Sequence, residues 1–172
     1  MKNVTQKIVY TAMFASLTCV ATMIIKIPSP LKGYINLGDA FVLLGAWVLS
    51  PAYGMIAAGL GSALADIFSG YVVYAPVTFL IKALMSIVAY ASYKLFSKKI
   101  KSIPSRIISG LFAEILMILG YYLFEGAMYG FAPSLVNIPF NGVQGISGII
   151  VAILLVKIIE KTNLFNDNKK EN

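Results

Sequence analysis

Five ionisable residues stand in or at the edge of long apolar runs: Asp39, Asp66, Lys82, Glu114 and Glu125. Two amides, Asn141 and Gln144, open the last such run. Charges inside a membrane span are costly, so each is by default a functional candidate. At 100° per residue, Glu114, Tyr121 and Glu125 project on nearly one face of a helix. Asn141, Gln144, Gly145, Gly148 and Ala152 form one stripe of the next, polar at its start and small beyond it. Carboxylates, an ammonium and amides are groups that hold a polar small molecule. Catalysis is harder to build from what is here. The chain has no histidine, the commonest general base and metal ligand. It has no phosphate-binding G-x-x-x-x-G-K-[ST] loop, no H-E-x-x-H and no plausible Ser/His or Cys/His pair. Its one cysteine, Cys19, lies in an apolar run. We therefore expect a binding or transport subunit rather than an enzyme, with no cofactor and no metal.

Plainer readings stand beside these. Asp39 is equally an N-cap and Asp66 an interfacial end residue, while for Lys82 pairing with a carboxylate or contacting a ligand is favoured over snorkelling. Glu114 reads better as structural than as ligand-binding.

The elements that must position these groups follow from composition and punctuation. Of the 172 residues, 59% are hydrophobic and only 12% charged, about half the charged share of a soluble domain. The mean hydropathy is +0.83. Most of the chain's solvent must be lipid, and about twenty residues per crossing allow six helices. The expected fold is all-α and integral to the membrane, a single six-helix bundle over 1–162. A polar tail, Asn163 to Asn172, is expected to be disordered. Helix 1 runs from about Thr5 to Ile27, before Pro28 and Pro30, with a polar loop from Ser29 to Gly38. Helix 2 takes Asp39 to Ser50 before Pro51, and helix 3 takes Tyr53 to Ser69, closed by Gly70. Helices 4, 5 and 6 take Pro76 to Phe96, Ser105 to Tyr129 and Pro139 to Glu160. Helix 2 is short for a crossing, so it must tilt, be shielded by neighbours or extend into the Pro51 turn.

Six crossings place both termini on one side. Eleven of the fourteen basic residues share that side: Lys2, Lys7, Lys94, Lys98, Lys99, Lys101, Arg106, Lys157, Lys161, Lys169 and Lys170. Only Lys26 and Lys32 lie opposite, with Lys82 inside helix 4. The positive-inside rule then puts both termini in the cytoplasm. It also accounts for the net charge of +7 without nucleic acid. The first span is too long for a signal-peptide core and lacks an A-x-A-like cleavage site. With this topology all the candidates except Glu114 converge on the outer leaflet, which favours a pocket open to the outside over a channel. Tyr34, Tyr71, Tyr74, Tyr129 and Phe131 gather at the same level, as an interfacial belt or as a lid over a planar ligand. Small residues recur at helical spacing on helix 3 (Gly54, Ala58, Ser62, Ala65, Ser69), the mark of close packing in lipid. Helix 1 carries two small faces, Ala12, Ser16 and Cys19 beside Thr11, Ala15, Thr18 and Thr22, enough for the bundle and an external partner.

Three stretches resemble a known family: Gly33-Tyr34-Ile35-Asn36-Leu37-Gly38-Asp39, Pro51-Ala52-Tyr53-Gly54, and Gly59 to Asp66 with Gly70-Tyr71. Thr78-Phe79-Leu80-Ile81-Lys82-Ala83, Gly120 to Glu125 and Ile138 to Gly145 resemble it too. The family is the substrate-binding S component of energy-coupling factor (ECF) vitamin importers, in the branch taking riboflavin, hydroxymethylpyrimidine or pyridoxine. The resemblance spans all six helices. It implies a prokaryotic plasma-membrane protein that captures a vitamin from outside and docks on a transmembrane coupling subunit driven by two cytoplasmic ATPases. Its implied docking surface is helix 1 at Thr11, Ala12, Ala15 and Ser16, and its gate is the loop between helices 1 and 2. The expected substrate-binding set is Tyr34, Asn36, Asp39, Asp66, Tyr74, Lys82, Tyr121, Glu125, Asn141 and Gln144. Position 36 is often His in similar sequences, and the Asn here bears on which ligand fits. With no second cation near Lys82, a neutral planar ring of the pyridoxine or hydroxymethylpyrimidine kind is expected, with riboflavin as the alternative. A stand-alone channel or proton-coupled carrier relaying through Glu114, Lys82 and Glu125 is a different class. So is a ligand-free membrane scaffold whose charges only pair with one another.

Overall fold

The computed structural model describes residues 3–31 and 33–162. The polar tail from Asn163, together with Lys2, Lys32, Lys169 and Lys170 of the charge argument, lies outside the described residues.

The described chain folds as a helical bundle. Its long helices are α1 (Val4–Ile24), α3 (Pro51–Phe68), α4 (Ala75–Phe96), α5 (Ser102–Tyr129) and α7 (Ile138–Thr162). All five are long and apolar enough to cross a membrane. A sixth, α2 (Gly38–Val48), has 11 residues and spans about 16 Å at 1.5 Å per residue. That is too short to cross alone, and shielding is how the molecule accommodates it. Residues Gly38 to Trp47 are buried apart from Phe41, and α2 packs against α1, α3, α4 and α7. A helix apolar on every side belongs inside a bundle. A four-residue turn, α6 (Phe131–Ser134), and a 3-10 turn (Leu135–Asn137) lead into α7.

The punctuation residues act as their backbone chemistry requires. Pro51 and Pro76 sit in the first turns of α3 and α4, where a missing N–H costs nothing. Gly70 and Gly130 follow the ends of α3 and α5 at φ +84° and +94°, a region that disfavours side chains. Helix 1 ends three residues earlier than expected, at Ile24. Pro28 biases its predecessor Ile27 to extended backbone, and Ile27–Pro28 (β1) pairs antiparallel with Tyr34–Ile35 (β2). The expected polar loop is therefore a small hairpin.

In lipid there is no hydrophobic drive between helices, so contact depends on close packing. Helix α3 shows how. A Cβ at Gly61 would lie 2.4 Å from the Ala15 carbonyl oxygen of α1. At Gly59 it would meet the Phe79 ring of α4 at 2.9 Å. Glycines on its two flanks let α1 and α4 reach its backbone. On α1, Thr11, Thr18 and Thr22 are buried, while Ala12 and Ser16 face outward. Thr11 therefore departs from its expected place on a docking face. It is buried, its hydroxyl donating to the Lys7 carbonyl at 2.7 Å, because its side of α1 faces the bundle. Ala15 is half-buried against Gly61.

Candidate functional site

At the end of the bundle away from the lysine-rich turns, α3, α4, α5 and α7 surround a cavity roofed by the β1–β2 hairpin. The cavity's volume is about 40 Å³. Its lining includes Tyr34, Asn36, Asp66, Tyr74, Tyr121, Glu125, Asn141 and Gln144, eight of the ten expected substrate-binding residues. Ser29, Gly33, Tyr71 and Thr78 complete it.

Side-chain bonds from the walls hold the roof. The Tyr34 hydroxyl donates to Asp66 Oδ1 at 2.6 Å. Burial, reinforced by the Asp66 carboxylate, pushes that hydroxyl's pKa up, so it remains a donor. Asn36 donates twice to Gln144 Oε1, from its backbone N–H at 3.0 Å and from Nδ2 at 3.1 Å. Lys26 donates to Ser69 Oγ at 3.0 Å. Asn137 Nδ2 reaches the Leu31 carbonyl at 3.2 Å and both Glu125 oxygens at 3.0 Å. Aromatic rings form one wall. Tyr34, Tyr71, Tyr74 and Phe124 contact one another in sequence, with centroids 4.9, 6.3 and 5.2 Å apart.

Asp39 and Lys82, also expected in the site, do not line the cavity. They form a buried ion pair beneath it, with Gln144 Nε2 donating to Asp39 Oδ2 at 2.6 Å. Their side chains are 0% and 3% exposed, so Lys82 does not snorkel. Nor does Asp39 cap α2. It stands one residue inside the helix, and Asn36 Oδ1 accepts the Gly38 N–H at 2.9 Å instead. Gln144 thus belongs to both layers, with one face in the cavity and its amide fixed by the floor. The Lys82 ammonium also lies 5.6 Å from the Tyr121 ring centroid, and Tyr121 donates to Thr78 Oγ1 at 3.1 Å. Glu114 lies deeper. Its carboxyl packs on the backbone at Gly145, is 4% exposed, and neither oxygen has a bonding partner.

Asn137 was not among the expected site residues. It precedes Asn141 by four residues and Gln144 by seven, so it extends their stripe one turn backward. Reading Pro139 as the start of the helix hides that signal.

The arrangement can bind, but it has no group placed to transform a ligand. Among the described residues no cluster of three His, Cys, Asp or Glu side chains could hold a metal. Among the described residues that line it, the cavity carries carboxylates without a cation, and Asp66 Oδ2 is buried and unbonded.

Comparison with known proteins settles the class. Residues 2–161 match the family described as ECF-type riboflavin transporter, S component. The chain belongs to this family. A solved ECF S component, reported for the structure and mechanism of the S component of a bacterial ECF transporter, superposes with a TM-score of 0.76 at 27% identity, covering 94% of this chain and 99% of that one. A Pyrococcus woesei protein described only as an uncharacterized protein in a gap 3′ region is 34% identical over 143 residues, 83% of this chain and 93% of its own. The thiamine precursor transporter HmpT of Lactococcus lactis subsp. cremoris (strain MG1363) is 24% identical over 172 residues, 98% of this chain and 96% of its own. S components are transport subunits rather than enzymes. As a family they bind small vitamins and work with a transmembrane coupling subunit and ATPases. This S component is a multi-pass protein of the plasma membrane.

Proposed function

We propose that this S component captures a single-ring heterocycle bearing amino or hydroxymethyl donors, of the hydroxymethylpyrimidine or pyridoxine kind. The observation that carries the reading is the mismatch in the cavity. Among the described residues that line the cavity, Asp66 Oδ2 is buried without a donor, the Ser29 and Tyr74 hydroxyls have no partner, and there is no ammonium or guanidinium. Leaving a buried acceptor unbonded is costly, and a ligand rich in N–H and O–H groups removes that cost. An anionic vitamin would meet the carboxylates of Asp66 and Glu125 with no counter-ion among the described lining residues. The tyrosine wall suits a flat ring. At about 40 Å³ the closed cavity is far smaller than the usual small-molecule site of about 300–1,000 Å³. The roof must therefore lift for any vitamin, and a single ring asks for the smallest opening. The likeness to a thiamine precursor transporter points the same way.

Riboflavin is the second reading, favoured by the family match itself. It would require the hairpin roof to lift further and the tyrosines to part. In either case the lysine-rich end faces the cytoplasm, the ligand enters from outside, and the subunit docks through the exposed small residues Ala12 and Ser16 of α1 onto a coupling subunit driven by two ATPases.

Calorimetric titration of the purified, ligand-stripped subunit with hydroxymethylpyrimidine, pyridoxine, riboflavin and thiamine tests this. One-to-one binding of a single-ring compound, tighter than riboflavin by about tenfold or more, is expected. Preferential riboflavin binding establishes the second reading. Silence across the panel in folded protein overturns both.

A further inference from the structure

A second concave surface lies on the outside of the bundle, between α4 and α5, and holds about 520 Å³. Leu84, Val88, Ser92 and Leu95 form one side, with Phe112 and Leu119 on the other. At its upper end the helices touch, because Gly120 lets Ile81 within 2.9 Å of where a Cβ would stand. At its lower end the rings of Phe96 and Phe112 bridge the helices in a parallel stack, 6.0 Å between centroids and 2° between planes. The surface between them is a groove closed at both ends. From position 84 to position 96 the helix rises about 18 Å, close to one leaflet of a hydrocarbon core about 30 Å thick.

The Phe96–Phe112 end of the groove adjoins the α4–α5 turn, which is unusually basic. Lys98, Lys99 and Lys101 are exposed there, while Lys94 is exposed on the Tyr90 side of α4, its ammonium 5.6 Å from that ring centroid. From Ala83 to Ala113 the chain contains no Asp or Glu to neutralise them. Apolar length and cationic turn are joined in one feature.

We infer that the α4–α5 groove is a binding site for one anionic phospholipid, its acyl chain lying between Leu84 and Phe112 and its phosphate held by the Lys98–Lys101 turn. The chemistry of each part fits only this combination. Acyl chain alone would be satisfied by any lipid around the bundle, whereas clustered lysines beside a transmembrane groove recognise an anionic headgroup. Ser92, midway along the groove, is the position where a large side chain would block the chain without touching the lysines.

Native mass spectrometry of the full chain, purified in a mild detergent and exposed to equal phosphatidylglycerol and phosphatidylcholine, tests the site. The wild type should retain one phosphatidylglycerol in preference to phosphatidylcholine by at least about tenfold. The K98Q/K99Q/K101Q variant should lose the preference. Ser92→Trp should lose the retained lipid with all three lysines in place. Circular dichroism and gel filtration confirm that each variant is folded, and a variant that fails them is replaced by K98Q/K99Q or by Val88→Trp. Equal retention of the two lipids by the wild type, or an undiminished preference in the lysine variant, overturns the inference and leaves the groove to ordinary annular lipid or a protein helix.

Discussion

The two ends of the bundle both bury polar side chains, and they treat them differently. At the lysine-rich end Arg106 donates to Glu160 Oε1 at 2.7 Å and lies 5.0 and 5.9 Å from the ring centroids of Tyr93 and Trp47. Trp47 Nε1 donates to Ser109 Oγ at 3.0 Å, and that hydroxyl donates onward to the Arg106 carbonyl at 2.9 Å. These contacts tie α2, α4, α5 and α7 together and leave one buried atom of the set, Arg106 Nε, without a partner. At the cavity end the ties are just as numerous, yet Asp66 Oδ2, Tyr74 Oη and Ser29 Oγ, all on residues that line the cavity, have no partner. Most buried polar groups in proteins are bonded. Unbonded atoms alone do not mark a site, since the hydroxyls of Thr18, Ser62 and Ser86 are also without partners and line no part of the cavity. Unbonded atoms that share a cavity do mark one. The floor beneath the cavity follows the pattern of the lysine-rich end: Asp39, Lys82 and Gln144 are bonded to one another.

The sharpest test of that division is the floor. Lys82→Met leaves the Asp39 carboxylate buried without its counter-ion, and breaking such a pair costs about 3–5 kcal/mol. Thermal unfolding in detergent should show a large loss of stability. Adding Asp39→Asn removes the stranded charge while retaining an acceptor for Gln144, and should restore most of it. If Lys82→Met were as stable as the wild type, the floor would not be structural and Lys82 would return to the ligand. A smaller and opposite signature is expected in the cavity. Asp66→Asn still accepts the Tyr34 hydroxyl, so stability should barely move. The bond to the ligand becomes a neutral one, weaker by about 1–1.5 kcal/mol, and calorimetry should read an affinity about five- to tenfold weaker. Equal effects on stability in both variants would erase the distinction between floor and cavity.

Much of this was legible in the sequence, for reasons that also explain what was not. Helix number and approximate ends follow from apolar run length and from Pro51, Gly70 and Pro76, because those residues act through local backbone geometry. Convergence of Asp66, Glu125, Asn141 and Gln144 follows from counting helical turns on alternating crossings. What periodicity cannot give is which polar group faces which. Asp39 and Lys82 lie 43 residues apart, and their pairing depends on how far α2 sinks among its neighbours. The β1–β2 hairpin was equally hidden, since its pairing is two residues long and competes with the end of α1 at Pro28. Thr11 and Ala12 are adjacent in sequence, and only the placement of α3 decides which of the two small faces of α1 is buried.

The weakest expected effect completes the contrast. Glu160 accepts from Arg106 but its side chain is 51% exposed, and solvent-exposed ion pairs contribute about 0–1 kcal/mol. Glu160→Gln should therefore lower stability by less than about 1 kcal/mol, since the amide oxygen still accepts from the guanidinium and the rings of Trp47 and Tyr93 still cover it. Ligand affinity should not change, because no residue of this end lines the cavity. Calorimetry and unfolding on the one variant measure both quantities. A drop in affinity with stability intact would mean that the two ends are coupled through α2, whose one end supplies Trp47 and whose other supplies Asp39. The floor would then transmit strain to the cavity through Gln144 rather than isolate it.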